Sequence, residues 1–145
     1  MSQYTGEKIV LHGRKIIGGV VEGEALASKE RVAGSIGGFR LDGTIYSRRQ
    51  PGADLDGKSF KGKVFVFKSS IGSSGWNWHF LNAYKAGNGP LAMLVPKLTT
   101  YVAQSAIETN TPTVVDFDKD PSDIITTGDW VKVDADKGIV EVYKK

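Results

Sequence analysis

The sequence predicts a mixed α and β (α/β) fold with a small parallel sheet, helices that flank it, and a second, more antiparallel β layer. Three features lead to this fold class: glycine-broken strand patterns over the first 60 residues, a strand–helix–strand–helix–strand run after them, and two alternating strands around a turn at the end. The chain has 145 residues, the length of one domain, so we expect residues 1–145 to fold as a single unit.

The first strands are predicted from partial alternation of apolar and polar residues. Residues 8–17 alternate in part, Gly18 and Gly19 interrupt the pattern, and residues 20–26 resume it. Residues 43–47 are a further short candidate strand.

The second half begins with a strand, a loop and a helix. Residues 63–67 are rich in β-branched and aromatic side chains, which favours a buried strand, and residues 69–75 predict a tight loop of serine and glycine. A helix is expected from Trp76 up to the Gly-Asn-Gly-Pro sequence at 87–90. Its predicted apolar face contains Trp76, Phe80, Leu81 and Tyr84.

The remaining elements repeat this pattern and then close with a hairpin. Residues 91–95 and 113–115 predict buried strands, with a helix at 101–109 between them. Residues 130–133 and 139–142 alternate around a turn, which predicts a β-hairpin. The apolar side of the second helix is expected to contain Val102, Ala103, Ala106 and Ile107.

The composition excludes several classes of site. The chain has no cysteine, so it cannot by itself form a disulfide or hold a cysteine-ligated zinc or iron–sulfur centre, and it has only two histidines. Its apolar runs are too short to span a membrane and its first residues do not resemble a signal peptide, so we expect a cytoplasmic protein without membrane or nucleic-acid partners. The net charge is +3, and the middle of the chain is basic, either as a solvated face or as a rim that attracts anions: Arg48, Arg49, Lys58, Lys61, Lys63 and Lys68.

Two motif matches are not expected to bind ligands. Residues 52–59 fit the phosphate-loop pattern G-x-x-x-x-G-K-S, but a strand and not a helix is predicted after them, which favours a surface turn. Residues 116–123 resemble the start of a calcium loop, but Pro121 and Thr127 stand where that loop needs glycine and glutamate, which favours an acidic turn. His79 has no partner in the pattern and is interpreted as a packing or surface residue. We therefore expect no metal ligand on this chain.

The loop at residues 68–75 is the best-placed candidate site. It joins a buried strand to a helix, and open α/β sheets bind ligands at the carboxyl ends of their strands. The first N–H groups of the helix and its dipole would hold a carboxylate or phosphate there, and a serine could act as a general base. The structural alternative is equally simple, because serine often caps helices and glycine is common in loops.

Motifs along residues 13–142 resemble the small subunit, or swivel domain, of the aconitase X family. They are Gly13-Arg14, Gly18-Gly19, residues 22–26, residues 35–39 with Asp42-Gly43, Gly62-Lys63-Val64, Gly72-Ser73-Ser74, Thr127-Gly128-Asp129 and Gly138-Ile139-Val140. The resemblance implies a swivelling β/β/α fold and a hydro-lyase that removes water from a small hydroxy acid. It also implies a larger subunit that carries iron or an iron–sulfur centre on cysteines, and so a heteromeric enzyme.

The resemblance further assigns roles to residues of the two glycine-rich loops. It makes Ser73 the catalytic base and implies that the substrate is bound by residues on both loops, namely Gly72, Ser74, Gly75, Gly37 and Gly38. Known family substrates include cis-3-hydroxy-L-proline and mevalonate 5-phosphate.

Three departures from the family pattern affect the expected substrate. Ile71 stands where the family usually has Arg or Lys, Gln50-Pro51 replaces a His-Pro pair, and Trp76-Asn77-Trp78 replaces small residues. Loss of the cation at Ile71 favours cis-3-hydroxy-L-proline, with mevalonate 5-phosphate as the alternative if Arg48, Arg49 or Lys68 binds the phosphate. A stand-alone binding or regulatory module with the same fold is the non-catalytic alternative. The two tryptophans are expected to narrow the pocket or to pack on a partner.

Overall fold

A computed structural model describes residues 4, 6–34, 38–46, 54–71 and 74–145, which contain ten strands and three helices. The strands are β1 (Lys8–His12), β2 (Arg14–Ile17), β3 (Val20–Ala27), β4 (Val32–Ala33), β5 (Val64–Val66), β6 (Ser70–Ile71), β7 (Ala92–Leu94), β8 (Thr113–Val115), β9 (Trp130–Asp134) and β10 (Ile139–Tyr143). The helices are α1 (Gly75–Lys85), α2 (Thr100–Thr109) and α3 (Pro121–Ile124).

Eight strands form one sheet in the order β1-β10-β9-β3-β5-β7-β8-β2. Strand β3 joins its two parts, because residues 20–24 pair antiparallel with β9 and residues 25–27 pair parallel with β5. We call β3-β5-β7-β8 the parallel part, and β1-β10-β9 with the start of β3 the antiparallel part. The mixed fold class and the final hairpin predicted from the sequence are confirmed.

The side chains of β5 show how the layers pack. Successive residues of a strand point to opposite faces. Phe65 and Phe67 pack in the cluster that contains α1 and α2, whereas Val64 and Val66 pack with residues of the antiparallel part such as Val131. The parallel part is therefore buried on both faces, and the molecule is built as antiparallel layer, parallel layer and helices, the β/β/α arrangement.

The buried faces of the two long helices differ from the predicted ones. Tyr84 is 42% exposed and Ile107 is 64% exposed, although both were expected on apolar faces. Asn77 and Ser105 take buried positions instead, because their side chains hydrogen-bond to each other between α1 and α2. An apolar pattern cannot identify a helix contact made by polar groups.

Within the described residues, every helix is too short or too polar to be a membrane span.

The short strands were predicted less well. The loop expected at 69–75 contains β6, which pairs with β4 in a separate parallel ladder. The candidate strand at 43–47 has only isolated bridges at Thr44 and Ile45, and Ser47 lies outside the described residues. Helix α3 was not predicted; the Asp120 side chain caps it by accepting the Ser122 N–H at 2.9 Å. The ladder and the bridges depend on partners that are remote in the sequence, and α3 depends on a single capping residue.

Candidate active site

The parallel strands end together at one edge of the sheet, which we call the carboxyl edge. Ala27, Val66, Leu94 and Val114 are register partners across β3, β5, β7 and β8. The segments that follow these residues therefore emerge next to one another. Because open α/β sheets bind ligands at the carboxyl ends of their strands, this edge is the candidate active site.

Strands β4 and β6 pair at this edge, and a glycine-rich loop follows each of them in the sequence. In their parallel ladder Val32 pairs with Ser70 and Ala33 pairs with Ile71. The chain leaves Ala33 towards residues 34–38, the first glycine loop, and leaves Ile71 towards residues 72–75, the serine–glycine loop. The two loops thus begin side by side, although they are nearly 40 positions apart in the sequence.

The far ends of both loops are also anchored side by side. Phe39 follows the first loop and Trp76 follows the second, and their rings meet edge to face with centroids 4.9 Å apart. The fully buried Trp76 also donates from its indole Nε1 to the Val32 carbonyl oxygen at 3.0 Å. Trp76 is therefore a core residue and does not narrow a pocket, whereas Trp78 is 64% exposed beside the loop.

Only some of the predicted site residues lie within the described part of the chain. Ser73, Gly72 and Gly37 lie outside it. Ser74 is exposed at the N-cap position of α1, its side chain makes no capping hydrogen bond, and its carbonyl accepts the Trp78 N–H at 3.1 Å. The first turn of α1 has no acidic residue, so no carboxylate there offsets the partial positive charge of the helix start. An anion bound at Ser74 and Gly75 would be stabilised by that charge.

Close packing accounts for glycine at two positions of the first loop. A Cβ on Gly38 would overlap the Ala33 carbonyl oxygen, and a Cβ on Gly34 would overlap the Phe39 ring. These neighbours are backbone and a packed ring, so neither can move aside without shifting the loop.

Lys68 lies at the carboxyl edge, but its charge is already engaged. Its Nζ donates to Asp120 Oδ2 at 2.5 Å and lies 3.6 Å from Asp123 Oδ1. The hydrogen bond to Asp120 raises the pKa of Lys68. Burial raises the pKa of Asp120, but hydrogen bonds from Lys68 and Ser122 outweigh it, so the pKa of Asp120 lies below its ordinary value. Lys68 is therefore held by two carboxylates and is a poor candidate for binding a substrate anion.

Lys63 of the basic middle stretch does not share a patch with Lys68. Lys63 lies before β5, at the opposite edge of the sheet, and its Nζ pairs with Glu24 Oε2 at 2.9 Å. The two lysines are close in the sequence, but strand β5 separates them in space. Arg48 and Arg49 lie outside the described residues.

Three lysines near the carboxyl edge form no ion pair with any residue that the structure describes. Lys29 and Lys58 line a cleft of about 420 Å³ at the end of β3, together with Glu30 and Asp54. Lys97 lies between β7 and α2, close to the contact of Thr99 Oγ1 with Ser70 Oγ at 2.8 Å. Sequence reasoning missed this set, because its members come from separate segments and only Lys58 belongs to the basic stretch.

Several motif residues have roles in packing. Gly23 lies where β3 passes between the two parts of the sheet, and a Cβ there would approach Leu91 Cδ1 to 2.6 Å. Arg14 Nη2 pairs with Asp116 Oδ2 at 2.7 Å, which links β2 to the end of β8. Gly23 and Arg14 therefore stabilise the fold and are not part of the candidate active site.

The Thr127-Gly128-Asp129 motif closes the turn before β9. Asp129 is 1% exposed and accepts the N–H groups of Thr126 at 2.8 Å and Lys145 at 2.9 Å. Its Oδ2 is also 2.6 Å from Lys144 Nζ. Gly128 has φ of +97°, a conformation that favours glycine. Local structure thus explains this motif fully.

The donor set of this chain does not fit an iron centre. The chain has no cysteine, and the described residues contain no group of three or more His, Cys, Asp or Glu side chains that could hold a metal. In the acidic turn, Asp116, Asp118 and Asp120 face Arg14, His12 and Lys68, respectively. Residues 54–57 form turns with no helix after them before β5, in agreement with the surface turn expected at 52–59; Gly52 and Ala53 lie outside the described residues.

Comparisons with known proteins agree with this architecture. The family described as aconitase X swivel domain matches residues 10–142. The phosphomevalonate dehydratase small subunit of Thermococcus kodakarensis is 35% identical over 136 residues, which are 92% of this chain and 96% of that protein. The phosphomevalonate dehydratase small subunit of Archaeoglobus fulgidus is 33% identical and covers 90% of this chain and 96% of its own length.

Solved structures give the same result. The crystal structure of Thermococcus kodakaraensis aconitase X in its holo-form has a TM-score of 0.83 and 33% identity, covering 94% of this chain and 99% of that chain. The solution NMR structure of a UPF0107 protein has a TM-score of 0.77 and 31% identity, covering 94% of this chain and 100% of that chain. The chain therefore belongs to the aconitase X swivel-domain family.

Proposed function

We propose that this chain is the small subunit of an aconitase X-type dehydratase whose substrate is mevalonate 5-phosphate. The observation that carries the proposal is that the residues flanking the two glycine-rich loops pair at the carboxyl edge, in a chain similar over about nine-tenths of its length to phosphomevalonate dehydratase small subunits. These relatives favour mevalonate 5-phosphate over cis-3-hydroxy-L-proline, the substrate that Ile71 favours when the sequence is considered alone.

Ser73 is the general base in this proposal. A C–H proton next to a carboxylate is weakly acidic, so its removal needs a positioned base and stabilisation of the negative charge that develops. The Ser74 hydroxyl, which makes no capping bond, and the N–H groups at the start of α1 bind the substrate carboxylate. Both groups lie directly beside Ser73 in the chain.

The phosphate of the substrate is bound by lysines of the carboxyl edge. Ile71 provides no charge, and Lys68 is held by Asp120 and Asp123. Lys29 and Lys58 line the cleft at the end of β3 and Lys97 follows β7; none of the three forms an ion pair with the described residues, so each remains available to an anion. These cations would stabilise a bound phosphate more than they would stabilise cis-3-hydroxy-L-proline, which has no net charge.

A larger subunit supplies the iron or iron–sulfur centre, because this chain contains no cysteine. When bound, the metal supplies the Lewis acid that helps hydroxide to leave. This chain contributes the base and the anion-binding helix start, and the site is complete only when the two chains assemble.

The test is reconstitution with the cysteine-bearing larger chain encoded nearest to this one. We expect the two chains to co-purify, and the complex but neither chain alone to dehydrate mevalonate 5-phosphate. A complex that dehydrates cis-3-hydroxy-L-proline instead would show the substrate to be wrong. A chain that stays a monomer or homo-oligomer beside every such partner would support a stand-alone binding module.

A further inference from the structure

The first turn of α1 is attached to its surroundings by two side chains. On one side Trp76 donates to the Val32 carbonyl oxygen of β4. On the other side Asn77, which is 7% exposed, contacts α2. Its Oδ1 accepts the Ser105 hydroxyl at 2.8 Å, and its Nδ2 donates to Glu108 Oε2 at 3.2 Å. The turn that begins at Ser74 is thus fixed between a strand and a helix.

The Asn77 contact continues into a chain of buried hydrogen bonds. Thr109 Oγ1 donates to the Ser105 carbonyl at 2.7 Å and lies 2.6 Å from Thr111 Oγ1. Thr113 Oγ1 of β8 donates to the Thr111 carbonyl at 2.9 Å. The four residues are at most 3% exposed. Buried polar groups that are fully paired hold one arrangement, so α2 is a rigid support for Asn77.

We propose that Asn77 is a positioning residue for the dehydration: its amide fixes the first turn of α1 against α2 and so sets where Ser74 stands relative to the substrate. The Trp78 N–H bond to the Ser74 carbonyl makes Ser74 part of the same turn. A displacement of about 1 Å between reacting groups can lower a rate by roughly 10²-fold. This inference rests on the proposed function, because it assigns the helix start to the reaction.

The test uses the assembled complex with mevalonate 5-phosphate as substrate. Asn77→Asp keeps the size of the side chain and the acceptor for Ser105, but it places a carboxylate against Glu108 in place of the amide donor. We expect kcat to fall by about 10-fold with KM within about 3-fold, because the helix start shifts while the lysines that bind the phosphate lie outside α1 and remain in place. Adding Glu108→Gln restores a donor opposite that carboxylate, and we expect most of kcat to return.

Two further variants separate positioning from stability. Ser105→Ala removes the hydroxyl that donates to Asn77, and we expect a smaller fall in kcat in the same direction. Thr113→Val is the matched control at the far end of the hydrogen-bond chain; it should lower the melting temperature and leave kcat within about 2-fold.

The kcat values of these variants either support the positioning role of Asn77 or overturn it. Equal kcat values for Asn77→Asp, Ser105→Ala and Thr113→Val in fully assembled complexes would overturn the positioning role, as would an Asn77→Asp defect that Glu108→Gln does not relieve. A wild-type complex without turnover would instead overturn the proposed function itself, and this inference with it. Active wild type with unaffected variants leaves the proposed function standing and overturns this inference alone.

Discussion

The two parts of the sheet use similar apolar strands but end in different ways. In the antiparallel part, buried Val131 and Val133 alternate with half-buried residues, and β9 turns directly into β10. In the parallel part, every residue of β5, β7 and β8 is buried. Antiparallel strands finish at alternate edges, whereas parallel strands all finish at one edge. A multi-loop site can therefore form at the carboxyl edge and not in the hairpin.

The two parts of the sheet also differ in how fully their polar side chains are paired. The antiparallel part is closed by the buried Asp129 with its three donors, and its outer face is open, with Val20 69% exposed. At the carboxyl edge, the Ser74 hydroxyl makes no capping hydrogen bond to the helix, and Lys97 forms no ion pair with the described residues. We infer that the antiparallel part mainly provides stability and that the parallel part mainly provides chemistry.

The largest effect on stability is expected in the antiparallel part, from Asp129→Ala. The change removes the buried carboxylate that accepts the Thr126 and Lys145 N–H groups and pairs with Lys144 Nζ, so we expect a loss of about 3 kcal/mol in the free energy of unfolding. Urea denaturation measures this loss. The control is Asp134→Ala, because Asp134 Oδ1 accepts only an exposed Lys137 N–H bond at 3.2 Å. An equal kcat per folded complex would support the division. A large loss of kcat would show that the turn held by Asp129, whose Thr126 and Thr127 line the cleft with Lys29 and Lys58, belongs to the site.

Gly38→Ala is expected to affect both stability and chemistry. The new Cβ overlaps the Ala33 carbonyl, so the loop must shift at a cost of about 1–3 kcal/mol. We expect turnover of the assembled complex to fall as well, since the displaced loop borders the site. Gly62→Ala is the control at the opposite edge, where φ is +66° and no atom lies within 4 Å; it should cost about 1 kcal/mol through backbone strain alone. Unchanged turnover in Gly38→Ala would show that the first glycine loop is outside the site.

Lys68→Met tests the ion pair at the carboxyl edge and its pH dependence. Both partners are partly solvated, so we expect a loss of only about 1 kcal/mol at pH 7. The lowered pKa of Asp120 contributes stability above its ordinary value near 3.8, and this contribution disappears as the pH falls through the folded-state pKa. The free energies of unfolding of wild type and variant should therefore converge as the pH falls below 3.8, the ordinary pKa of the Asp120 carboxyl. If the difference in free energy of unfolding between wild type and variant stays constant from pH 7 to pH 2.5, the Lys68–Asp120 pair does not provide this stability.

Val20→Thr is expected to have the smallest effect. The side chain is exposed on the outer face of the antiparallel part, so the free energy of unfolding should change by less than about 0.5 kcal/mol. Binding of the larger subunit should also be unchanged, as measured by titration calorimetry. A clear loss of affinity would mean that the larger subunit covers this face and that the antiparallel part also serves assembly.

Periodicity made the regular strands predictable from the sequence. The hairpin strands alternate, and the buried strands at Val64 and Ala92 are short apolar runs between glycines and prolines. The β4–β6 ladder could not be predicted in this way, because Val32 and Ser70 are far apart in the chain and each strand has two residues. The exposure of Ile107 was missed because the helix contact is made by the polar side chains of Asn77 and Ser105.

The sequence indicated where the candidate site lies in the fold, but not which cations surround it. A strand-to-helix loop with serine and glycine indicated the carboxyl edge, and the family resemblance added the loop at Gly38. The ion pairs of Lys68 with Asp120 and Asp123 could not be predicted, since three strands and two helices separate those aspartates from Lys68 in the sequence. Lys29 and Lys97 have no motif around them, so only the folded arrangement identifies them as cations of this edge.

The most direct test of the account is the turnover of mevalonate 5-phosphate by the complex that contains Ser73→Ala. If Ser73 is the general base, kcat should fall by ~10²–10⁴ while the larger subunit still co-purifies. Ser59→Ala is the matched serine control, since its hydroxyl only donates to the Asp42 carbonyl at 3.2 Å and accepts the Lys61 N–H. Near-normal turnover in Ser73→Ala would contradict the assignment of the reaction to the carboxyl edge of this chain.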